Sequence, residues 1–366
     1  MASLGLFSAA SSASAPGHHG TGHFTGRSLQ GSLYSQRCPP RAAVLLHAKP
    51  RKVKQEAVTA YSEASVELET IVNSRDLASA CADMQPGLLI RSGCPFRASK
   101  NAALDRNIRQ MIDLRNPEEW VKDDKSMHPS WKEVISRERI LRRSDDNKST
   151  EWENVERDSE PEWAIELHRI SVLDKNRFQK HLIYNKMDVF TIAKVFWCKC
   201  FDSQSLYNTV IGKVNERGLE GMYEVLLDTA APEFRAALDV ILEAAEARQP
   251  TLFFCKLGKD RTGLLSAMLL SVMGVDEGSI VSDYALSDAY GGVALGTMEK
   301  KELQGLDRTV FQRAPPEVME KTLEYMKFRY GSVEGYMEYA GFGADKQARL
   351  RASLLKDGSP SEQLQQ

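Results

Sequence analysis

One stretch of the chain holds residues whose types and spacing suit covalent phosphate chemistry. Residues 251–263 read Thr-Leu-Phe-Phe-Cys-Lys-Leu-Gly-Lys-Asp-Arg-Thr-Gly. The apolar run Thr251 to Phe254 predicts a strand that stops at Cys255. The apolar run Leu264 to Met273 predicts a helix that Gly274 ends. A strand, a short polar loop and a helix N-terminus, in that order, make an anion cradle of converging N–H groups at the positive end of a helix dipole. The helix start, Arg261, Lys256 and Lys259 favour Cys255 as a thiolate, the nucleophilic form of cysteine. Arg261 can fork two N–H bonds onto phosphoryl oxygens, a geometry lysine lacks. Thr262 can donate its hydroxyl to the thiolate and ease its departure. Asp260 can carry a proton for the leaving group or for attacking water. Residues Lys256, Leu257, Gly258, Lys259, Asp260 and Arg261 form the phosphate-holding set. Such a kit supports a cysteinyl-phosphate route and calls for no metal or cofactor.

Two other readings of this stretch are weaker. A buried structural cysteine at a strand end is common, but it does not require the glycines, the arginine or the helix that follow. A nucleotide-binding phosphate loop fails on spacing. Asp260 follows Gly258-Lys259 where Ser or Thr is needed, and Phe253 stands where the first glycine belongs.

The elements that must position this loop follow from apolar pattern and punctuation. Strands are predicted at Leu88 to Arg91 after the Pro86-Gly87 turn, at Gln110 to Leu114, and at Ala164 to Leu173. Asn116-Pro117-Glu118 ends the second strand and starts a short helix. Arg142 to Glu162 is polar and reads as a surface loop. Asp174 closes the third strand. Strand C-terminal ends gather around the site in an α/β domain, so Asp174 is a second candidate for the general acid. A helix cap or turn is the alternative there. Tyr184 to Lys199 is strongly apolar and pairs with Leu206 to Val214 as core helices, with a membrane-facing patch as the alternative. Pro232 sits just inside a helix, Glu233 to Arg248, that returns the chain to the Cys255 strand. Ile280 to Ser287, Pro316 to Tyr330 and Asp345 to Leu355 are predicted helices, and residues 290–304 are irregular. Strands separated by helices argue an α/β fold, a central mainly parallel sheet flanked by helices.

Composition narrows the compartment and the partners. A net charge of −2 over 366 residues argues against a nucleic-acid binder. Six irregularly placed cysteines do not form a disulfide framework, and a reducing compartment suits them. No run is long and apolar enough for a transmembrane segment. No acidic residue precedes Glu56, and Ser, Ala and Gly dominate there. Residues 1–50 read as a disordered transit peptide. The serine-rich Met-Ala-Ser start favours the chloroplast, with mitochondrion or cytoplasm as alternatives. The catalytic domain is then 56–356, followed by a flexible polar tail, 357–366.

The Cys255 stretch resembles the atypical protein-tyrosine phosphatases whose signature reads His-Cys-x-x-Gly-Lys-Asp-Arg-Thr-Gly. These are tyrosine and phosphoinositide phosphatases first known as secreted bacterial enzymes. Asn73-Ser74-Arg75-Asp76-Leu77 is similar to that family's opening motif, and residues 87–93 to its Gly-Arg-Leu-Phe-Arg-Ser segment. Ile112-Asp113-Leu114-Arg115 with Glu118 is similar to its strand end. Asp283-Tyr284-Ala285-Leu286-Ser287 and Tyr330-Gly331-Ser332 follow in order, so the resemblance covers roughly Asn73 to Leu355. It implies a phosphate-monoester hydrolase acting on phosphotyrosine, phosphoproteins or phosphoinositides through a phosphocysteine, with a mobile lid near residues 184–199. Two positions depart from the signature. Phe254 replaces the histidine that helps orient and ionise the cysteine, and Leu257 replaces a small residue. The first departure carries an alternative, a phosphate-binding module with weakened turnover.

Overall fold

The computed structural model describes residues 71–144, 149–155, 164–186, 203–290 and 305–356. The transit-peptide assignment, most of the apolar stretch after Tyr184, residues 291–304 and the tail lie outside them.

A seven-stranded sheet organises the described residues, in the order β1-β2-β7-β3-β6-β4-β5. The strands are β1 (Arg75–Asp76), β2 (Leu89–Ser92), β3 (Gln110–Asp113), β4 (Ile135–Arg143), β5 (Thr150–Val155), β6 (Ile165–Arg169) and β7 (Thr251–Phe254). Strands β2, β7, β3, β6 and β4 run parallel, and β1 and β5 close the two edges antiparallel. The central mainly parallel α/β sheet is therefore as the sequence pattern predicts. Several stretches read differently: β1 and β4 form where no strand is predicted, β6 stops at Arg169 short of Leu173, and Thr150–Val155 is an edge strand rather than loop. Only one face of an edge strand meets the core, and β5 buries no residue fully, so its sequence stays polar.

The helices are α1 (Asn101–Leu104), α2 (Pro117–Asp124), α3 (Lys175–Lys186), α4 (Ser203–Thr229), α5 (Ala231–Glu246), α6 (Asp260–Val272), α7 (Glu277–Ala285), α8 (Arg308–Phe311), α9 (Pro316–Tyr330), α10 (Val333–Ala340) and α11 (Ala344–Leu354). Helix α4 kinks at Gly218, whose φ of 61° a side chain rarely adopts. Among the described residues no helix is long and apolar enough to cross a membrane.

Side chains alternate along β7 and so feed two cores. Phe253 and Cys255 face the larger cluster, built with α4, α5 and α6. Leu252 and Phe254 face the smaller one, with Phe96, Ile108 and Trp131. Burial on both faces explains why this strand reads as an unbroken apolar run. β7 lies between β2 and β3, so the loop after Phe254 emerges at the C-terminal edge of the parallel strands, flanked by the ends of both neighbours.

Candidate active site

Loop 255–259 joins β7 to α6, and its shape is held from behind. Gly258 has φ +67°, and a Cβ there would lie 2.4 Å from the Ser92 carbonyl carbon, so glycine alone fits. Three successive loop carbonyls are each captured by a donor outside the loop. The Cys94 N–H donates to Lys256 O at 3.2 Å, Asn73 Nδ2 to Leu257 O at 3.0 Å, and Arg91 Nη2 to Gly258 O at 2.9 Å. All peptide bonds described are trans. In a trans peptide the N–H points opposite the C=O, so fixing these carbonyls outward turns the amides of Leu257, Gly258 and Lys259 inward. None of those three amides donates to another described residue. That is the physical content of an anion nest.

Buried charges hold the captors in turn. Asp283 accepts from Arg75 Nε at 2.8 Å and pairs with Arg91. Asn73 and Ser287 complete the cluster. Burial would raise the Asp283 carboxyl, yet Arg75 and Arg91 hold it below the usual carboxylate range. Burial, then the Arg75 charge, pulls Arg91 down to about 10, against the attraction of Asp283 and Cys255.

On the open side, Arg261 stands in the first turn of α6. Its Nη1 and Nη2 fork onto Glu119 at 2.7 and 3.0 Å, and Nη1 also reaches Leu114 O at 3.4 Å. A guanidinium has five N–H donors, so this arrangement leaves Nε–H and the outer Nη2–H, two parallel donors on one edge. Burial opposes the Arg261 charge. Glu119, Cys255 and Asp260 outweigh it and hold its pKa above the ordinary value. Burial likewise opposes the Glu119 charge, but Arg261 brings its carboxyl down to about 2. Glu119 is aimed by a capping box on α2. Its Oε2 accepts from Asn116 N–H at 2.8 Å, and its own N–H donates to Asn116 Oδ1 at 3.0 Å.

The pocket over the loop has a volume of about 490 Å³ and is walled by Glu119, Lys122, Leu173, Lys256, Leu257, Asp260 and Arg261, among others. Cys255 is 1% exposed and lies within electrostatic reach of both Arg91 and Arg261. Lys256, Leu257, Asp260 and Arg261 thus share one pocket wall, while Cys255 and Gly258 belong to the same loop but are not among the wall residues. Leu257 contributes wall, the narrowing its size implies.

Three residues sit otherwise than the sequence led one to expect. Asp174 caps α3, accepting the Arg177 N–H at 2.8 Å. It lines a neighbouring depression with Arg143, Arg177 and Glu233, not the pocket of Arg261. The unsatisfied first-turn amide claims the carboxylate. Lys259 is 2% exposed, with Nζ on Asp260 Oδ1 at 2.7 Å and on Arg313 O at 3.0 Å. Its ammonium is internal and its backbone N–H is what faces the cradle. Thr262 Oγ1 is buried and makes no hydrogen bond to Cys255 or any other described group.

Phe254 faces away from Cys255. It meets Phe96 edge-on at 5.4 Å, and the Arg115 guanidinium lies 5.6 Å from its ring centre. Arg115 is paired with the fully buried Asp113 at 2.7 Å. Strand alternation keeps any side chain at 254 off the sulfur's face, so the change from histidine alters the floor beneath the loop, not the pocket.

Sequence reasoning missed Glu119, taking Glu118 instead. Glu118 is exposed and pairs with Lys175. The Asn-Pro-Glu-Glu order was the available signal, because a capping box turns its third helical residue back toward the N-terminus. It also missed Tyr223, whose hydroxyl reaches Asp260, since nothing in a helix sequence marks that contact.

Comparison with known proteins fits this geometry. A tyrosine-protein phosphatase of Nostoc commune is 28% identical over 149 residues, covering 37% of this chain and 49% of that protein. The triple specificity protein phosphatase PtpB of Mycobacterium tuberculosis is 28% identical over 138 residues, covering 32% and 49%. The chain thus aligns with about half the length of these relatives. The family description matches residues 66–356, from ahead of the Asn73 motif to beyond α11. With that extent of match, and with its cysteine, arginine and loop set in one cradle, the chain belongs to the tyrosine phosphatase family.

Proposed function

We propose that this protein is a cysteine-dependent phosphatase that hydrolyses phosphate monoesters through a phosphocysteine. One observation carries the reading: Arg261 is locked to Glu119 so that one donor edge remains, at a pocket walled by the loop that follows Cys255, whose carbonyls are held from outside. The sulfur attacks phosphorus as the ester oxygen leaves. Charge on the equatorial oxygens falls on the Arg261 edge and the loop amides. Asp260, at the pocket wall, gives a proton to the leaving oxygen. Water then attacks phosphorus and yields its proton to Asp260, and the sulfur leaves with its electron pair. Lys122 and Lys256 in the same wall suit an anionic substrate. The relatives' names support phosphotyrosine in proteins as the first class to test, and the motif resemblance makes phosphoinositides the second.

Cys255→Ser is expected to abolish turnover and keep binding of a phosphate analogue, while Arg261→Ala loses both. Full activity in the serine variant removes the nucleophile from this reading. A phosphate-binding role without turnover would be shown by a wild-type chain that binds vanadate yet releases no phosphate from a panel of phosphopeptides and phosphoinositides. We propose separately that residues 1–50 send the protein to the chloroplast, on the ground that no acidic residue precedes Glu56 and that Ser, Ala and Gly dominate there. A fluorescent fusion of residues 1–60 that stays cytosolic overturns that part.

A further inference from the structure

Asp260 does not stand alone at the pocket wall. The Tyr223 hydroxyl, from α4, donates to Asp260 Oδ1 at 2.7 Å, and Lys259 Nζ meets the same oxygen at 2.7 Å. The Tyr284 hydroxyl, from α7, lies 2.9 Å from that of Tyr223. A phenol has one proton. Tyr223 spends its proton on Asp260, so Tyr284 donates to Tyr223, and the chain of donors runs one way toward the carboxylate. Both rings are buried and cross at 88°. Gly263 admits the second ring: a Cβ there would lie 3.1 Å from Tyr284 Cδ2. Burial, with the Asp260 charge, raises both phenols above their ordinary range, so they stay protonated donors.

We propose that Tyr223, backed by Tyr284, is a positioning residue for proton transfer: with Lys259 it saturates Asp260 Oδ1 and leaves Oδ2 to carry the exchangeable proton. Asp260 Oδ2 receives no hydrogen bond from a described residue. In the first step the Oδ2–H bond breaks and its proton joins the leaving oxygen, which keeps the electron pair of the broken P–O bond. In the second step water's proton returns to Oδ2. A carboxyl free to spin would present its proton on either oxygen; this one is restricted to Oδ2. The inference rests on the phosphatase reading and adds to it the residues that aim its acid.

The test is a series of aryl phosphates of graded leaving-group pKa, hydrolysed by the full chain and by Tyr223→Phe. General acid catalysis supplies roughly 10²–10⁴-fold. Partial loss of aim should therefore cost about tenfold in kcat on the poorest leaving groups and little on the best, which need no proton. The plot of log kcat against leaving-group pKa steepens. Tyr284→Phe should steepen it in the same sense and by less. Thermal melts within a few degrees of wild type show that both variants fold. A uniform fall across the series, or an unchanged slope, overturns the proposal. Acid-quench trapping of a phosphorylated protein separates the two levels. Trapped phosphocysteine with an unchanged slope sinks this inference alone; no trapped adduct in the wild type sinks the phosphatase reading and this with it.

Discussion

Two guanidinium–carboxylate clusters flank the Cys255 loop, and they differ in where their spare donors lie. Behind the loop, Arg75 and Arg91 share Asp283, with its carboxylate and both guanidiniums almost wholly out of water. Other donors of the pair go to Asn73, Ser287 and the Gly258 and Asp283 carbonyls, while Arg91 Nε is buried without a partner. In front, Arg261 and Glu119 are a little more exposed, at 11% and 14% for their side chains, and the guanidinium keeps an edge with no described acceptor. The same ion-pair chemistry thus builds a brace on one side and a receptor on the other. The difference teaches that where an arginine's spare donors lie, in sealed interior or at a pocket, decides whether it is structural or available.

The rear cluster is the place to break the fold. Asp283→Ala leaves two buried arginines with no carboxylate and should cost about 3–5 kcal/mol of unfolding free energy, read by urea denaturation. Loss of activity should track loss of folded protein. Next comes the front pair. Arg261→Lys keeps the charge and removes the fork, and should lower kcat by roughly 10²–10³-fold with a small change in melting temperature. Should the lysine variant turn over normally, the available edge is not what binds phosphate. A smaller effect belongs to the loop that joins the two. Gly258→Ala forces a left-handed residue into Ser92 and should cost about 2 kcal/mol, with weaker binding of vanadate measured on the fraction that stays folded.

The smallest effect is in pH. Glu119 titrates from 4.5 as a free group to about 2 in place, because Arg261 overcomes its burial. A depressed carboxyl adds stability that is full above 4.5 and drains as pH falls toward 2. Asp283 is lowered too and adds to the same acid limb. Unfolding free energy should therefore drop across that window, and Glu119→Gln should flatten part of the drop. An equal slope in the variant would mean that the front pair contributes nothing to acid stability.

Much of the site was legible because it is local. Cys255, Gly258, Asp260 and Arg261 fall within one strand–loop–helix, where chain connectivity alone sets their spacing and the helix start supplies the amides. Apart from the short β1, the strands were legible where both faces are buried. β5 was not, because its exposed face carries the polar residues of a loop. Asp174 shows the opposite failure: a strand-end aspartate fits a general acid and a helix cap equally well until the direction of α3 is known.

By itself, then, the order of residues determined the nucleophile's setting: an apolar run that must be a strand, a glycine-bearing loop and an apolar helix after it, whose start at Asp260 only the structure gives. What tertiary structure alone decided is which distant groups close on that loop. Asn73, Arg91, Glu119, Tyr223 and Asp283 come from as far as 184 residues away in sequence, as with Asn73 on Leu257. Their roles depend on sheet order and helix direction, and a buried arginine reads in sequence like any other until the fold shows which oxygens surround it.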